Sequence, residues 1–492
     1  MKKIKIILTS LATLTLVVSC NRDFEEAVPE KQVSQEQLEN EPSALNHVLT
    51  GVYKALYSTN AGQSYEDYGR TYHDDFGLLT LKTGADLMSN DMVQVQNHWF
   101  GNFYNYNAGS VSNARNSIVW KTVYLRDFVL NKIINTIGNN PSDPQAKRIL
   151  AEAKALKAYL YFTLTRFYTY TYKGHENDLA IPIYTGKEAS DGAKRSTVKE
   201  TYDFIVKLLN ESLVDLTASR SSKININNSV AKGMLAQVYL EMGVYDKAAL
   251  MAREARASYS LMSEAQWRGN GFSDLNNPEA MWAADITSVN SGIYASFFSH
   301  MDNLAPGYTG AVGIYKAIDR RLYEKISNTD YRKLEIANNT GLYKNKTYAP
   351  YANMKFKDSS PFTGDYIFMR AAEFYYIEAE SLARGGNEAG AQQLLYDITV
   401  KRDPSYIKST NTGQALIDEI MTQKRIEMWG EGCAWFDMKR LGIALERNYT
   451  GSNHASFGRQ NRGVSDVRMR FQIPQRELDT NPSITTADQN QW

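Results

Sequence analysis

The sequence predicts an all-α (mainly α-helical) protein built from paired helices, and two stretches carry most of that prediction. Residues 229–258 contain two amphipathic helices separated by Gly243, with alanines lining the second helix. Residues 367–400 repeat this pattern around the break Gly385-Gly386-Asn387. Small residues let two helices approach closely, and the spacing is that of a tetratricopeptide unit. Because such pairs bury their apolar faces only against neighbours, we expect further pairs to stack beside them.

Two other stretches are expected to supply those neighbours. Residues 151–172 carry apolar side chains at spacings of three and four, which is typical of a helix with a wide apolar face. Residues 197–216 form another amphipathic pattern, and its start, Thr197 followed by Glu200, resembles a capping box. We therefore expect one domain over residues 41–492, with helix pairs around 146–172, 197–258 and 366–400.

Two long stretches between these helices lack clear helical periodicity, namely residues 61–117 and 265–365. They combine Gly, Asn, Asp and Pro with many aromatic residues. Loops of this length in a compact domain are usually functional or disordered. Their aromatic content argues against disorder. The sequence therefore predicts two ordered, loop-rich insertions with a functional role.

The first twenty residues have the features of a secretory signal. Three lysines precede an apolar stretch over residues 6–18, which is too short to span a bilayer. It ends in Val17-Val18-Ser19-Cys20, which resembles a bacterial lipobox. This predicts a signal peptide at 1–19, an acylated Cys20 that anchors the chain in lipid, and a polar tether at 20–40. The alternative is an ordinary signal cleaved elsewhere, with Cys20 incidental.

Composition narrows the classes of function. The formal net charge of the 492 residues is +1, which argues against a strongly electrostatic partner such as nucleic acid. Once Cys20 is acylated, Cys433 has no partner for an internal disulfide. Aromatic residues make up 12% of the chain. They indicate either a Tyr-rich helical core or an aromatic binding surface, since aromatic rings offer flat apolar faces with polar rims.

Motifs for catalysis and for metal or cofactor binding are absent from the sequence. The six histidines are scattered, and neither an HExxH pattern nor a Cys/His cluster occurs. No GxSxG elbow and no phosphate-binding GxxxxGK[ST] loop is present. Glu427 and Glu431 lie one helical turn apart near Arg425 and Asp437, which favours structural ion pairing over a glycosidase carboxylate pair. We expect no enzyme, no cofactor and no metal ligand set, although loop oxygens could hold Ca²⁺.

The segment Asn97–Asn107 is the leading candidate for ligand binding because it interleaves aromatic rings with amides. A sugar ring can stack its C–H face on an aromatic ring, and asparagine both donates and accepts hydrogen bonds to hydroxyls. Segments 64–75 and 293–315 are the second and third candidates. The alternative is that the rings belong to the core of an insertion. The candidate ligand-binding residues are Trp99, Asn102, Phe103, Tyr104, Tyr106, Tyr72, Asp74 and Tyr308.

Several segments, in order along the chain, resemble the SusD/RagB family of surface lipoproteins. The helix ALKAYLYFTLTRFY at 155–168 and the segment MRAAE at 369–373, followed by EAE at 378–380, are similar to family motifs. The segment KRIEMWGEGCAWFDMKR at 424–440 and the terminal FQIPQ at 471–475 match two more. Lys424 and Cys433-Ala434 depart from the usual pattern, at positions expected to belong to the scaffold.

The resemblance implies a SusD-like fold with tetratricopeptide pairs and a loop-built ligand face. It also implies a protein at the outer membrane that captures oligosaccharides, or peptides in the RagB-like branch. Such proteins pass their ligand to a SusC-like TonB-dependent transporter. Two other classes remain as alternatives: a surface glycosidase, and a protein-interaction scaffold, since tetratricopeptide arrays commonly bind protein.

Overall fold

The structure of the chain is a computed structural model, and it describes four stretches of residues. The expected signal peptide, the acylated Cys20 and the tether at 20–40 lie outside the described residues, as does most of the candidate segment 64–75. The domain limits therefore stay a prediction. The described stretches are 42–62, 71–188, 192–358 and 362–492.

Helices dominate the described chain, which confirms the predicted all-α class. Several begin with the local signals that the sequence carries. The hydroxyl of Thr197 accepts from the Glu200 amide while the Glu200 carboxylate accepts from Thr197, so the predicted capping box is present. The helices are α1 (Pro42–Ala55), α2 (Leu78–Leu87), α3 (Gly101–Tyr104), α4 (Ala114–Ile137), α5 (Pro144–Tyr168), α6 (Val198–Leu213), α7 (Asn228–Met242), α8 (Tyr245–Arg256), α9 (Glu264–Arg268), α10 (Phe297–Met301), α11 (Arg320–Glu324), α12 (Ala371–Arg384), α13 (Glu388–Thr399), α14 (Gly413–Glu427), α15 (Ala434–Arg440) and α16 (Gln475–Thr480).

The predicted helix pairs are seen as α7 with α8 and α12 with α13. Gly243 ends α7 in a left-handed conformation, with φ of 75°, and its amide donates to the Leu240 carbonyl. That conformation favours glycine and lets the chain reverse within two residues. Helix α8 packs against both α7 and α12, and α12 packs against α13 and α14. The stack therefore runs from one pair to the next, and the alanines of α8 are buried at its seams.

Strands are short and occur in antiparallel pairs within the described residues. One pair matters for function: Gln94 lies opposite Lys316 and Met92 lies opposite Ile318. This pair joins the two insertions. The pairs are β1 (Met92–Gln94) with β5 (Lys316–Ile318), β2 (Leu179–Pro182) with β3 (Arg195–Thr197), β4 (Ala280–Ala284) with β8 (Tyr366–Arg370), β6 (Leu342–Tyr343) with β7 (Lys346–Thr347), and β9 (Leu445–Glu446) with β10 (Asn461–Arg462).

The first insertion is more regular than the sequence suggested. Residues 61–117 contain the helix α2, in which nearly every side chain is buried. A helix that is enclosed on all sides shows no polar face, so its periodicity is weak. The expectation that residues 61–117 are irregular is therefore wrong in part, because the buried helix α2 supports the loop that follows it.

A buried ionic cluster ties the second insertion to the helical stack. The Glu427 carboxylate, at the end of α14, accepts from Arg370 Nη1 at 2.8 Å, Arg402 Nη2 at 3.1 Å and Arg332 Nη1 at 3.1 Å. Burial opposes ionisation, but the charges of Arg402, Arg370 and Arg332 hold the pKa of Glu427 well below its ordinary value. Glu431 pairs with Arg370 as well. These glutamates are engaged in structural ion pairs.

Candidate functional site

Rings from three separate segments of the chain meet at the surface beside β1 and β5. The His73 ring stacks on Tyr294 with centroids 5.5 Å apart and lies 5.1 Å from Trp99. The His98 ring lies 5.0 Å from Tyr308. We call this group the aromatic face and define it as Tyr72, His73, His98, Trp99, Tyr294 and Tyr308.

The aromatic face is open to solvent. His98 and Tyr294 are exposed, with 53% of Tyr294 accessible, while Trp99 and Tyr308 are half-buried. Exposed large rings usually cost solubility, so a group of them in contact with one another marks an interaction surface. The mixture of apolar ring faces with imidazole and phenol groups suits a ligand that has both apolar faces and hydroxyls.

The segment that carries Trp99 is held from below by β1. The Gln94 side chain is fully buried, and its Nε2 donates to the carbonyls of Gln96 at 3.0 Å and Trp99 at 3.1 Å. Phe100 follows in a left-handed conformation with φ of 64° and is buried. A bulky residue adopts that conformation only where its surroundings enforce it. The position of Trp99 is therefore fixed before any ligand arrives.

Asp74 and Arg115 form the polar floor of the aromatic face. Arg115 Nε donates to Asp74 Oδ2 at 2.8 Å and Arg115 Nη2 donates to Asp74 Oδ1 at 3.0 Å. The guanidinium carbon lies 5.2 Å from the centroid of Tyr72 and 5.4 Å from that of Trp99. The bidentate pair fixes the guanidinium plane, and cation–π attraction orders the two rings around it.

Tyr308 is fixed by contacts from both insertions. Its backbone amide donates to the Ser299 hydroxyl at 3.1 Å, and its own hydroxyl shares a hydrogen bond with His73 Nδ1. His300, which is buried, stacks against the Tyr308 ring at 4.9 Å, and its Nε2 donates to the His73 carbonyl at 2.9 Å. The aromatic face is thus a hydrogen-bonded unit rather than a set of independent side chains.

A buried lysine lies below this unit. Lys316, on β5, is fully buried, and its Nζ donates only to the Ile314 carbonyl, at a long 3.4 Å, among the described residues. Burial lowers the pKa of Lys316 from 10.5 to about 7. Burial and the nearby Lys316 charge also lower the pKa of His98 and, more strongly, of His300.

The predicted ligand residues divide into two groups. Trp99, Tyr72 and Tyr308 come together in the aromatic face, and Asp74 supports it through Arg115. Asn102 is half-buried, and its Oδ1 accepts from Asn113 at 3.3 Å, away from these rings.

Phe103, Tyr104 and Tyr106 are core residues, which corrects the expectation that they contact a ligand. Each is no more than 1% exposed. The Tyr104 hydroxyl is hydrogen-bonded to His454 Nδ1 at 2.7 Å, and the Tyr106 hydroxyl donates to the Met88 carbonyl. The short helix α3 turns these rings inward, and alternation of rings along a sequence does not show which way each one faces. The interpretation as core of an insertion holds for these three.

Sequence reasoning missed four members of the site: His73, His98, Tyr294 and Arg115. His98, His73 and Tyr294 lie in the first, second and third candidate segments respectively, but isolated histidines and tyrosines gave no sign of a shared surface. Arg115 had no signal at all, because its role depends on Asp74, which lies far away in the sequence.

Other concave surfaces occur in the described chain, and two of them lie among the long helices. A cleft of about 630 Å³ lies among α8, α11, α14 and α15, and ion pairs such as Arg425 with Asp91 line it. A smaller apolar groove of about 300 Å³ lies on α4 and includes Leu125 and Phe128. Neither contains a candidate from the sequence. Within the described residues, no group of three or more His, Cys, Asp or Glu side chains is placed to hold a metal ion.

A stack of helix pairs thus displays ordered aromatic rings on two long insertions, and Asp74, the carboxylate beside those rings, is paired with Arg115. In the described ranges, no helix is both long and apolar enough to cross a bilayer. Two family models match the chain: "SusD family" over residues 253–492 and "Starch-binding associating with outer membrane" over residues 23–240. The chain belongs to the SusD/RagB family.

Individual relatives match over nearly the whole chain. "SusD-like protein P38" of Formosa agariphila is 24% identical over 90% of this chain and 92% of its own length. A solved SusD-like carbohydrate binding protein from Bacteroides vulgatus is 23% identical, covers 92% of this chain and 98% of that one, and has a TM-score of 0.77. Surface glycan-binding protein A from Bacteroides thetaiotaomicron is 15% identical with a TM-score of 0.66, covering 92% and 99%. At these identities the solved structures show the shared fold.

Proposed function

We propose that this chain is a surface-exposed nutrient-binding lipoprotein that captures oligosaccharides on the aromatic face and delivers them to a SusC-like TonB-dependent transporter. The observation that carries the proposal is the group of exposed rings, drawn from three segments and braced by hydrogen bonds. Sugar rings stack on such surfaces through their C–H faces. Two solved relatives are described as carbohydrate or glycan binding, and one family model carries the description of starch binding at the outer membrane.

The geometry favours binding without turnover. Glycoside hydrolysis usually needs two carboxyl groups facing each other across the scissile bond. Asp74 is the carboxylate that the described contacts place at the aromatic face, and both its oxygens accept from Arg115. Glu427 and Glu431 are held in buried ion pairs away from solvent. We therefore expect an oligosaccharide to leave the protein chemically unchanged.

Calorimetry on the full chain in detergent, against panels of oligosaccharides and peptides, tests the proposal. Stacking buries ~60 Å² of apolar sugar face per ring, which is worth about 1.5 kcal/mol, or about tenfold in affinity. Trp99→Ala and Tyr294→Ala should each weaken oligosaccharide binding by about that factor. Phe128→Ala is the matched control, because this exposed ring lies in the separate groove on α4.

Three results would count against this assignment. Binding of peptides alone would favour the RagB-like alternative. Release of shortened sugars would make the protein an enzyme. Equal effects of Phe128→Ala and Trp99→Ala would mean that the aromatic face is not the binding surface.

The lipid anchor and the transporter are tested separately. If Cys20 carries acyl chains, labelling with a fatty-acid analogue should mark the wild type and not Cys20→Ala, and the variant should leave the membrane fraction. Affinity purification of the anchored protein should recover an outer-membrane barrel protein of the TonB-dependent class. Recovery of Cys20→Ala in the membrane with the wild-type yield would contradict the proposed anchor.

A further inference from the structure

Basic side chains outnumber carboxylates around the aromatic face. Among the described ionisable groups that hydrogen bonds, ring contacts or charge interactions link to it, five are bases: His73, His98, His300, Arg115 and Lys316. The acid in that set is Asp74, and the bidentate Arg115 pair consumes its charge.

Lys316 is the group whose charge stays uncompensated. It is fully buried, it makes no ion pair among the described residues, and its one hydrogen bond is long. A buried cation of this kind destabilises a fold, because burial removes hydration without a counter-ion in return. The neighbours that hold its backbone, Asn303 and Asn353, are neutral amides. Lys316 therefore has no counter-ion among the described residues.

The position of Lys316 places its charge close to the aromatic face. Its strand partner Gln94 holds the segment of His98 and Trp99 through two hydrogen bonds. Its charge acts on both His98 and His300, and the rings of both contact Tyr308. A positive charge in a weakly polarisable interior is screened much less than one at the surface. The aromatic face therefore lies in a positive potential.

We propose that the oligosaccharide bound at the aromatic face is an acidic glycan, whose carboxylate or sulfate group lies over His98 and Trp99 in the field of the buried Lys316. This inference rests on the proposed function and specifies its ligand class. Stacking on Trp99 and Tyr294 holds the sugar rings, while the positive field selects chains that carry anionic substituents. Arg115, fixed between Tyr72 and Trp99, adds N–H groups at the same edge.

The arrangement also explains why several weak bases are used instead of exposed lysines. The imidazole of His98 is exposed and its pKa is lowered, so it can stack on or donate a hydrogen bond to an uncharged sugar, and it gains charge when an anion approaches. An anion near Lys316 stabilises its protonated form, so binding of an acidic glycan should take up protons from solution near neutral pH. A neutral glycan should bind without that uptake.

The test compares matched oligosaccharides by calorimetry on the full chain in detergent. Cello-oligosaccharides and β-1,4-linked oligoglucuronates share one backbone and differ by a carboxylate on each ring, and galactan oligosaccharides with and without sulfate esters form a second pair. We expect each acidic member to bind about tenfold more tightly at low salt, which is the order of a single partly buried charge interaction. Measurement in buffers of different ionisation enthalpy reports the proton uptake.

Lys316→Met isolates the charge. The variant should lower acidic-glycan affinity about five- to tenfold, abolish most of the proton uptake, and leave neutral-glycan affinity unchanged. Lys207→Met is the control with the same change in net charge, because Lys207 is exposed on α6, with 70% of its side chain accessible. It should behave as wild type.

The outcomes separate the inference from the proposed function. If neutral glycans bind as well as their acidic partners, or if Lys316→Met weakens both to the same extent, the acidic-ligand inference is wrong and glycan capture stands. The inference also fails if Lys316→Met retains the full acidic preference. If no member of either pair and no glycan of the wider panel binds, the proposed function itself falls.

Discussion

Replacement of Lys316 by methionine should stabilise the protein, and the gain should depend on pH. In the unfolded chain this lysine has a pKa near 10.5, whereas burial lowers it to about 7 in the folded protein. Between these values the unfolded chain holds one more proton than the folded one. The stability of the wild type therefore rises with pH across this window, and the penalty is complete below pH 7.

The magnitude follows from the interval between the two pKa values. At 1.36 kcal/mol per pH unit, the penalty is at most about 4 kcal/mol at pH 7, about 2 kcal/mol at pH 9, and nearly zero at pH 10.5. Methionine keeps the length of the side chain and removes the charge. Lys316→Met should therefore raise the free energy of unfolding most near pH 7 and progressively less in more alkaline buffer.

Urea unfolding followed by tryptophan fluorescence at pH 6.5, 8 and 9.5 measures this gain. Lys207→Met serves again as the exposed control and should change stability by less than about 0.5 kcal/mol at every pH. A variant that is less stable than wild type, or a gain that stays constant with pH, would refute the reasoning. Either result would mean that Lys316 is paired or hydrated in the folded protein.

Three further perturbations test other parts of the structure. Glu427→Gln should lower the free energy of unfolding by about 3–5 kcal/mol in urea titrations, because three buried guanidinium groups lose a shared counter-ion, and a loss under 1 kcal/mol would contradict that role. Phe103→Ala should cost about 3–5 kcal/mol of stability yet leave glycan affinity unchanged in calorimetry on the folded fraction, whereas a selective loss of affinity would return Phe103 to the binding surface. Asp74→Asn should weaken glycan binding several-fold in the wild type, since Arg115 would no longer hold Trp99 in place. The same substitution should have a smaller effect when Trp99 is already replaced by alanine, and additive effects in the double variant would contradict this coupling.

The helical frame could be predicted because its signals are local. The alanines of α8, the left-handed Gly243 and the capping box at Thr197 each act within a few residues of themselves. The helix α2 escaped prediction for a physical reason. It is enclosed by other elements, so its sequence lacks the alternation of polar and apolar faces that marks a helix at the surface.

The candidate site could be predicted only in part, because its geometry is long-range. The sequence singled out the segment of Trp99 as rich in rings, yet Trp99 is half-buried and Tyr104 is buried, with a short helix and the positive φ of Phe100 between them. Those backbone conformations depend on tertiary packing and leave no local pattern. The approach of Tyr294 and Tyr308 to His73 likewise spans more than two hundred residues.

The two insertions can present an ordered binding surface because buried charged side chains hold them in position. Arg447 is fully buried and donates to the backbone carbonyls of Ser89 at 3.0 Å and Tyr104 at 2.7 Å. Glu427, at the end of α14, holds the second insertion through its ion pair with Arg332. The aromatic face is held beside the paired strands β1 and β5, since Gln94 of β1 bonds the segment that carries Trp99, so its rings are ordered before binding. The protein then loses little conformational entropy when a glycan docks, so even modest stacking energies can appear as measurable affinity.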